Sequence, residues 1–348
     1  MRSPLLTHDN ALAHHDGVQA TVADPFCERS NRPSSVRKQI LGGRFRFEST
    51  SRALLDLVEA AYAGLPQHQL PTTAPEFCVE LRLLPRQARP GTAEPPPVRM
   101  QSGAGLLCGV MDESNYAILA PAQQRALVVA SDDMLGRPYH VRYELIEFAV
   151  FILATRGLGL VPLHGACVGW QGRGVLLLGD SGSGKSTLAL HSLLQGLDLL
   201  AEDAVFVQPE CLLATGVANY LHVHAAALGF LDEETRRWIS QSPTIRRRSG
   251  VEKFEADARR GHGRLAPTPL ELIGTVFVSN QSADDPQVLL QRVPRHEISA
   301  RLSANQPYAA GQPGWQLFEQ RLMPLEVHQL RRGRHPKDSV DALRQLFD

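Results

Sequence analysis

From Gly43 onward apolar and polar residues alternate: Phe45 and Phe47 stand among Arg44, Arg46 and Glu48, the period-2 pattern of a strand. Thr50 or Ser51 then caps a helix through Ala63, because Leu54, Leu55, Val58 and Ala61 share one helical face. A second strand follows over 77–84, and 86–97, with four prolines, reads as an exposed loop. Short strands are predicted over 98–101, 106–111, 116–119 and 126–129, with the sharpest turn at Asp112-Glu113-Ser114-Asn115. Gly103-Ala104-Gly105 is a glycine pair before a strand, hence a turn and not a nucleotide loop. This region is expected to be mixed α+β and to carry no chemistry. Before it, residues 1 to about 40 are polar, with His8, His14 and His15, and read as a loosely ordered arm.

The second half has a different grain. Residues 143–156 predict an apolar helix with Glu144 and Glu147 embedded, running through Gly157-Leu158-Gly159 into a strand over 160–168. A turn at 171–174 leads to 175–178, a short apolar run typical of a buried parallel strand. A helix over 187–194 is closed by Gly196, and a strand over 197–201 ends in Glu202-Asp203 before another apolar run at 204–207. Asp232 opens a helix to Ile239, strands are expected at 272–278 and around Leu289-Leu290, and helices over 296–302, 315–322 and 338–347. No internal repeat or heptad is present. The expected organisation is an arm over 1–40, an α+β accessory domain over 41–140 and an α/β catalytic domain over 141–348.

Composition narrows the class. At 348 residues and 43% hydrophobic, the chain can bury a sizeable core, most naturally in two domains. Lys and Arg number 36, as do Asp and Glu, so no net field draws the chain to nucleic acid or membrane, and neither is expected as a partner. Five scattered cysteines (Cys27, Cys78, Cys108, Cys167, Cys211) without C-x-x-C spacing suggest neither disulfides nor zinc. The longest apolar stretch, 145–155, holds Glu147 and is too short to span a bilayer, and the first residues lack the apolar core of a signal peptide. A cytoplasmic setting is the expectation.

Chemistry concentrates at Gly179-Asp180-Ser181-Gly182-Ser183-Gly184-Lys185-Ser186, which fits G-x-x-x-x-G-K-[ST] and is followed by Thr187. Its glycines let backbone N–H groups converge on a β-phosphate, and the helix behind it opens toward negative charge. Lys185 would reach the β- and γ-phosphates of ATP, and the Ser186 hydroxyl would ligate Mg²⁺. Acids ending a strand beside such a loop, here Glu202 and Asp203, occupy the usual place of a Mg²⁺-binding carboxylate. His164 stands on the strand that precedes the loop strand. His222 and His224 share a strand face but lack a third ligand, so no metal is assigned to them. Arg246, Arg247, Arg248 and Lys253 form a basic, glycine-punctuated segment that can neutralise a transferring phosphoryl group or grip an acceptor.

Together, His164-Gly165-Ala166, the phosphate loop, Gly196 and Glu202-Asp203 resemble the catalytic domain of HPr kinase/phosphorylase. They are closer still to its shorter relatives, the HPr kinase-related serine kinases of peptide-modifying clusters such as the lasso-peptide kinases. The resemblance covers residues 160–210 strongly and extends weakly to about 300. It implies a fold similar to phosphoenolpyruvate carboxykinase and phosphorylation of a serine hydroxyl by ATP. It also implies a site of His164, Lys185, Ser186, Glu202 and Asp203, with Glu202 as base, Ser186 and Asp203 holding Mg²⁺, and His164 and Lys253 stabilising the phosphoryl group. The family commonly has Asp-Asp where this chain has Glu202-Asp203, and its HPr-binding signature is not found. The expected acceptor is therefore a peptide or protein serine, with a free hydroxyl compound such as serine, or a nucleotide-controlled scaffold, as alternatives; a homo-oligomer is a further option.

Overall fold

In the computed structural model, which describes residues 33–72, 75–85 and 94–348, two large mixed β-sheets carry the chain. The first has the order β1-β2-β3-β7-β6-β5-β4. Its strands are β1 (Ser34–Ile40), β2 (Gly43–Ser49), β3 (Glu76–Leu84), β4 (Arg99–Gly103), β5 (Leu106–Asp112), β6 (Asn115–Ala120) and β7 (Arg125–Ser131). Helix α1 (Arg52–Tyr62) buries Leu54, Leu55, Val58 and Ala61 against it, as the spacing predicts. The expected arm is corrected at its end. Residues 1–32 lie outside the described residues, but Ser34–Ile40 pairs antiparallel with β2 through a two-residue turn. Leu41 and Gly42 adopt φ of 53° and 82° there, the mirror-image turn that matches hairpin twist. An edge strand needs one paired backbone side and few apolar residues, so its polar composition hid it.

Pro138 begins a helical run that widens into a π-helical segment at Val141–Glu147 and continues as α2 (Phe148–Leu158), which packs into the core of the first sheet. Widening lets neighbouring residues face unusual directions, and such segments often mark functional sites.

The strand expected over 160–168 is two strands. β8 (Val161–His164) pairs with β12 (Ala204–Gln208), whereas β9 (Ala166–Trp170) pairs with β10 (Arg173–Leu178) and β11 (Asp198–Ala201). Gly165 is the break: a Cβ there would meet the Leu177 carbonyl oxygen at 2.6 Å, so the close crossing requires glycine. A run of apolar residues does not reveal that its two ends pair with different strands. The sheet is completed by β13 (Leu213–Gly216), β17 (Arg264–Leu265), β18 (Leu270–Ser282), β19 (Leu290–Arg292) and β20 (Glu326–Arg332), with β10 parallel to β18 and β18 parallel to β20. A three-stranded sheet, β14 (Tyr220–Val223), β16 (Glu252–Asp257) and β15 (Thr244–Arg246), stands beside it.

Helices α3 (Lys185–Leu194) and α7 (Pro336–Arg344) cover one face of the second sheet. Helices α5 (Arg295–Asn305) and α6 (Trp315–Leu322) cover the other, while α4 (Glu233–Ser240), capped by Asp232, packs on β16. The architecture is mixed α/β. Among the described residues no helix is long and apolar enough to cross a membrane.

Candidate active site

β10 is fully apolar and buried from Gly174 to Leu178, and at its end the chain turns sharply into α3. Gly179, Gly182 and Gly184 make that turn with φ of 141°, 82° and 105°, values open to glycine and costly to other residues. The Lys185 ammonium folds back over the loop and donates to the carbonyls of Gly179 at 2.6 Å and Asp180 at 3.1 Å. Burial pushes its pKa down, though the acids nearby oppose this. No side chain caps α3, whose free N–H groups are a favourable place for an anion. Ser183 Oγ is buried without a hydrogen-bond partner.

Facing Lys185, Ser186 and Thr187 across a cavity of about 600 Å³ are Asp203, His164, Tyr143, Arg247 and Lys253. Strand pairing builds this wall, since Ala204 on β12 lies opposite His164 on β8 and the Gly165 N–H donates to the Asp203 carbonyl at 3.0 Å. His164 Nδ1 lies 3.5 Å from Asp203 Oδ1. Asp203 Oδ2 accepts from the Tyr143 hydroxyl at 2.7 Å and from Arg247 at 3.0 Å. Burial pushes the Asp203 carboxyl up, but Arg247, His164 and the Tyr143 hydrogen bond outweigh it and hold the group well below the usual carboxylate range. Arg247 lies over the Tyr143 ring at 5.2 Å, and its Nη1 is buried with no partner.

Glu202, expected beside Asp203 in the site, points the other way. It is 4% exposed, does not line the cavity, and accepts from His222 Nδ1 at 3.0 Å. The chain bends at Glu202 and Asp203 between β11 and β12, and only Asp203 is turned into the cavity. His222 Nε2 in turn lies 3.5 Å from Glu255, which pairs with Arg142, and Arg142 donates to Glu147 at 2.8 Å. Burial pushes His222 down, but Glu202 and Glu255 lift its pKa to about 9. His222 reaches the edge of the cavity from β14, and His224, beyond the end of that strand, lines it too.

The basic segment divides in the same way. Arg247 and Lys253 line the cavity, whereas Arg246 is exposed and does not. Arg248 reaches the cavity edge with its guanidinium committed to Glu144 and the Pro96 carbonyl, so it anchors the segment to the first sheet's side. Of the three arginines, Arg247 and Arg248 therefore reach the cavity and Arg246 does not.

Tyr143, which donates to Asp203, escaped the sequence reading, and so did an amide pair, Asn305 and Gln306. The Gln306 amide grips the His164 backbone, accepting from its N–H at 2.8 Å and donating to its carbonyl at 2.9 Å. Gln306 also donates to Asn305 Oδ1 at 2.8 Å, and that oxygen accepts from the Gly179 N–H at 3.3 Å. The amide pair at the end of α5 therefore joins the start of the phosphate loop to the His164 strand. A further cavity of about 300 Å³ continues from Gly182, Gly184 and Thr187 to Phe230, His335 and Leu330, a largely apolar slot next to the loop. No sequence motif marks either feature.

A strand–glycine loop–helix cradle facing an Asp–His pair, in a mixed α/β sheet, defines a phosphate-loop protein. No family model matches the chain. It is 37% identical over 128 residues to the HPr kinase/phosphorylase of Burkholderia lata, covering 34% of this chain and 36% of that protein. It is 34% identical over 119 residues to the HPr kinase/phosphorylase of Ralstonia pickettii, covering 32% and 35%. Among solved structures it is similar to the Hpr(Ser) kinase/phosphatase from Coxiella burnetii, with 14% identity, a TM-score of 0.27, and coverage of 53% of this chain and 91% of that one. The chain is similar to HPr kinase/phosphorylases over about a third of its length, and the matches span about a third of the length of those curated relatives.

Proposed function

We propose that the chain is a Mg²⁺-dependent phosphotransferase that moves the γ-phosphoryl group of ATP to a serine hydroxyl of a peptide or protein. The observation that carries this reading is the single cavity with Lys185 and Ser186 on one wall and His164, Asp203 and Arg247 on the other. The slot beyond Gly184 suits the nucleoside, and the orphaned Ser183 Oγ and Arg247 Nη1 are donors suited to phosphate oxygens.

The residues present fit Mg²⁺. Ser186 and Asp203 offer hard oxygen donors on one cavity, while among the described residues no cluster of three or more His, Cys, Asp or Glu could hold a metal. An ion that keeps its water and substrate phosphates needs only one or two protein oxygens. When bound, it would neutralise charge on the β- and γ-phosphate oxygens. Lys185 leaves its loop carbonyls for the same oxygens, and Arg247 Nη1 meets the transferring group. The acceptor oxygen bonds to the γ-phosphorus as the bond to the β-phosphate oxygen breaks and ADP leaves. The hydroxyl proton passes to the His164–Asp203 pair. The neutral imidazole takes the proton, and Asp203, 3.5 Å from Nδ1, orients the ring. This moves the proton-handling role from Glu202 to that pair.

The test is mass spectrometry of serine peptides and of free serine after incubation with ATP and Mg²⁺. A peptide gaining one phosphoryl group, with far lower efficiency on free serine, is the expected result. Equal efficiency would sink the peptide reading, and acceptor-independent turnover alone would favour a nucleotide-controlled scaffold.

A further inference from the structure

A second cavity, of about 670 Å³, opens on the other side of the Asp203 wall. It shares Tyr143, Glu144, His164 and Asp203 with the phosphate cavity but touches no residue of 180–187. Its body is apolar: Phe148, Phe151 and Phe206, with Pro162 beneath and Met100 and Tyr308 at the rim. The Phe151 and Phe206 rings lie 4.9 Å apart, centre to centre, and so form a packed wall. Met100 and Tyr308 are 50% and 46% exposed, large apolar surfaces left uncovered at the mouth.

We propose that this cleft seats an aliphatic or aromatic side chain adjacent to the serine that is phosphorylated, so that the acceptor is a peptide segment with an apolar residue beside its reactive hydroxyl. The inference rests on the phosphotransferase reading and names its substrate class. Transfer needs the hydroxyl on the side of the His164–Asp203 pair away from the departing ADP, and this is the cavity that reaches the pair from there. A peptide side chain filling it would bring the next residue's hydroxyl to His164. Small polar acceptors are poorly served. The ammonium and carboxylate of free serine need charged partners, yet the acidic and basic residues lining the cleft, Glu144, His164 and Asp203, all lie at the shared end. Glu144 is already held by Arg248 and His140, and the Gln306 amide by the His164 backbone. The rest of the cleft offers burial and little else.

Two peptides identical except for Leu or Asp next to the serine test this on the full chain, by phosphoryl transfer with ATP and Mg²⁺ and by fluorescence anisotropy with ADP and Mg²⁺. The Leu peptide should exceed the Asp peptide by about 10–100-fold in kcat/KM and in affinity, the scale of burying one apolar side chain. Met100→Glu and Tyr308→Glu should each bring that ratio close to one, and Met100→Leu should restore it. Discrimination in binding without transfer would uphold the cleft and sink the kinase reading. Transfer without discrimination would sink the cleft and leave the kinase. A concentration-dependent dimer in sedimentation that Met100→Glu dissociates would give the cleft to a second copy of the chain and overturn the proposal.

Discussion

Asp203 and Glu202 are adjacent in the chain and opposite in circumstance. Asp203 opens onto a wide cavity, where a tyrosine, a histidine and an arginine converge on its two oxygens. Glu202 is buried in an ionic chain, Glu202–His222–Glu255–Arg142–Glu147, that ties β14 and β16 to the π-helical segment. The two sets of charges do different jobs. Around Asp203 the charges have room to meet an incoming anion. Around Glu202 they satisfy one another, and what they supply is position: the π-helical segment that gives Arg142 and Glu147 to the chain also gives Tyr143 to Asp203. A carboxylate beside a phosphate loop is thus no sign of chemistry until its side chain's direction is known.

The sharpest way to break this contrast is to neutralise each acid in turn. Asp203→Asn should lower kcat for peptide phosphorylation by about 10²–10⁴-fold, as should Lys185→Ala, while Glu202→Gln should cost less than about tenfold. Steady-state kinetics with a serine peptide decides it, and a Glu202→Gln loss as deep as that of Asp203→Asn would return the base to Glu202. Next in size is stability. Glu202→Gln weakens a charge-assisted hydrogen bond to a buried histidine and should cost about 2 kcal/mol in urea unfolding. Asp203→Asn, beside an open cavity, should cost less; the reverse order would mean that the roles had been exchanged. A further effect is on pH. His222 is raised from an ordinary 6.5 to about 9, so its contribution to stability is complete below about 6.5 and fades as pH rises through about 9. Between pH 6.5 and 9.5 the wild type should lose more stability than His222→Gln. Parallel urea midpoints would remove the histidine from the network.

The loop wall was legible because its parts are consecutive. Strand, glycines, lysine and helix occupy one stretch of sequence, and each constrains a local backbone. The first sheet was legible for the same reason, apart from β1, whose pairing lies in the backbone and leaves no apolar trace. The opposing wall was legible only in part: His164, Asp203, Arg247 and Lys253 were expected at the site, whereas Tyr143 and Gln306 were not. Tyr143, His164, Asp203, Arg247 and Gln306 reach it from separate elements, and whether a residue faces inward depends on pairings that sequence alone leaves open. The break at Gly165 looks like one apolar strand. Arg247 and Arg248 look alike until one is found on Asp203 and the other on Glu144. Asn305 and Gln306 carry no motif, only two amides at a helix end.

That amide pair also sets an order of events. The Gly179–Asn305 contact closes a loop of 126 residues and the His164–Gln306 contact one of 142. Such closures are entropically costly and slow compared with local helix or hairpin formation. The phosphate loop can take its shape early from its own glycines, but its link to the His164 strand waits for the last third of the chain to be synthesised and docked. A growing chain therefore does not assemble both walls until residue 306 has left the ribosome. On the proposed function, competence for transfer arrives late in folding, after the loop has taken its shape.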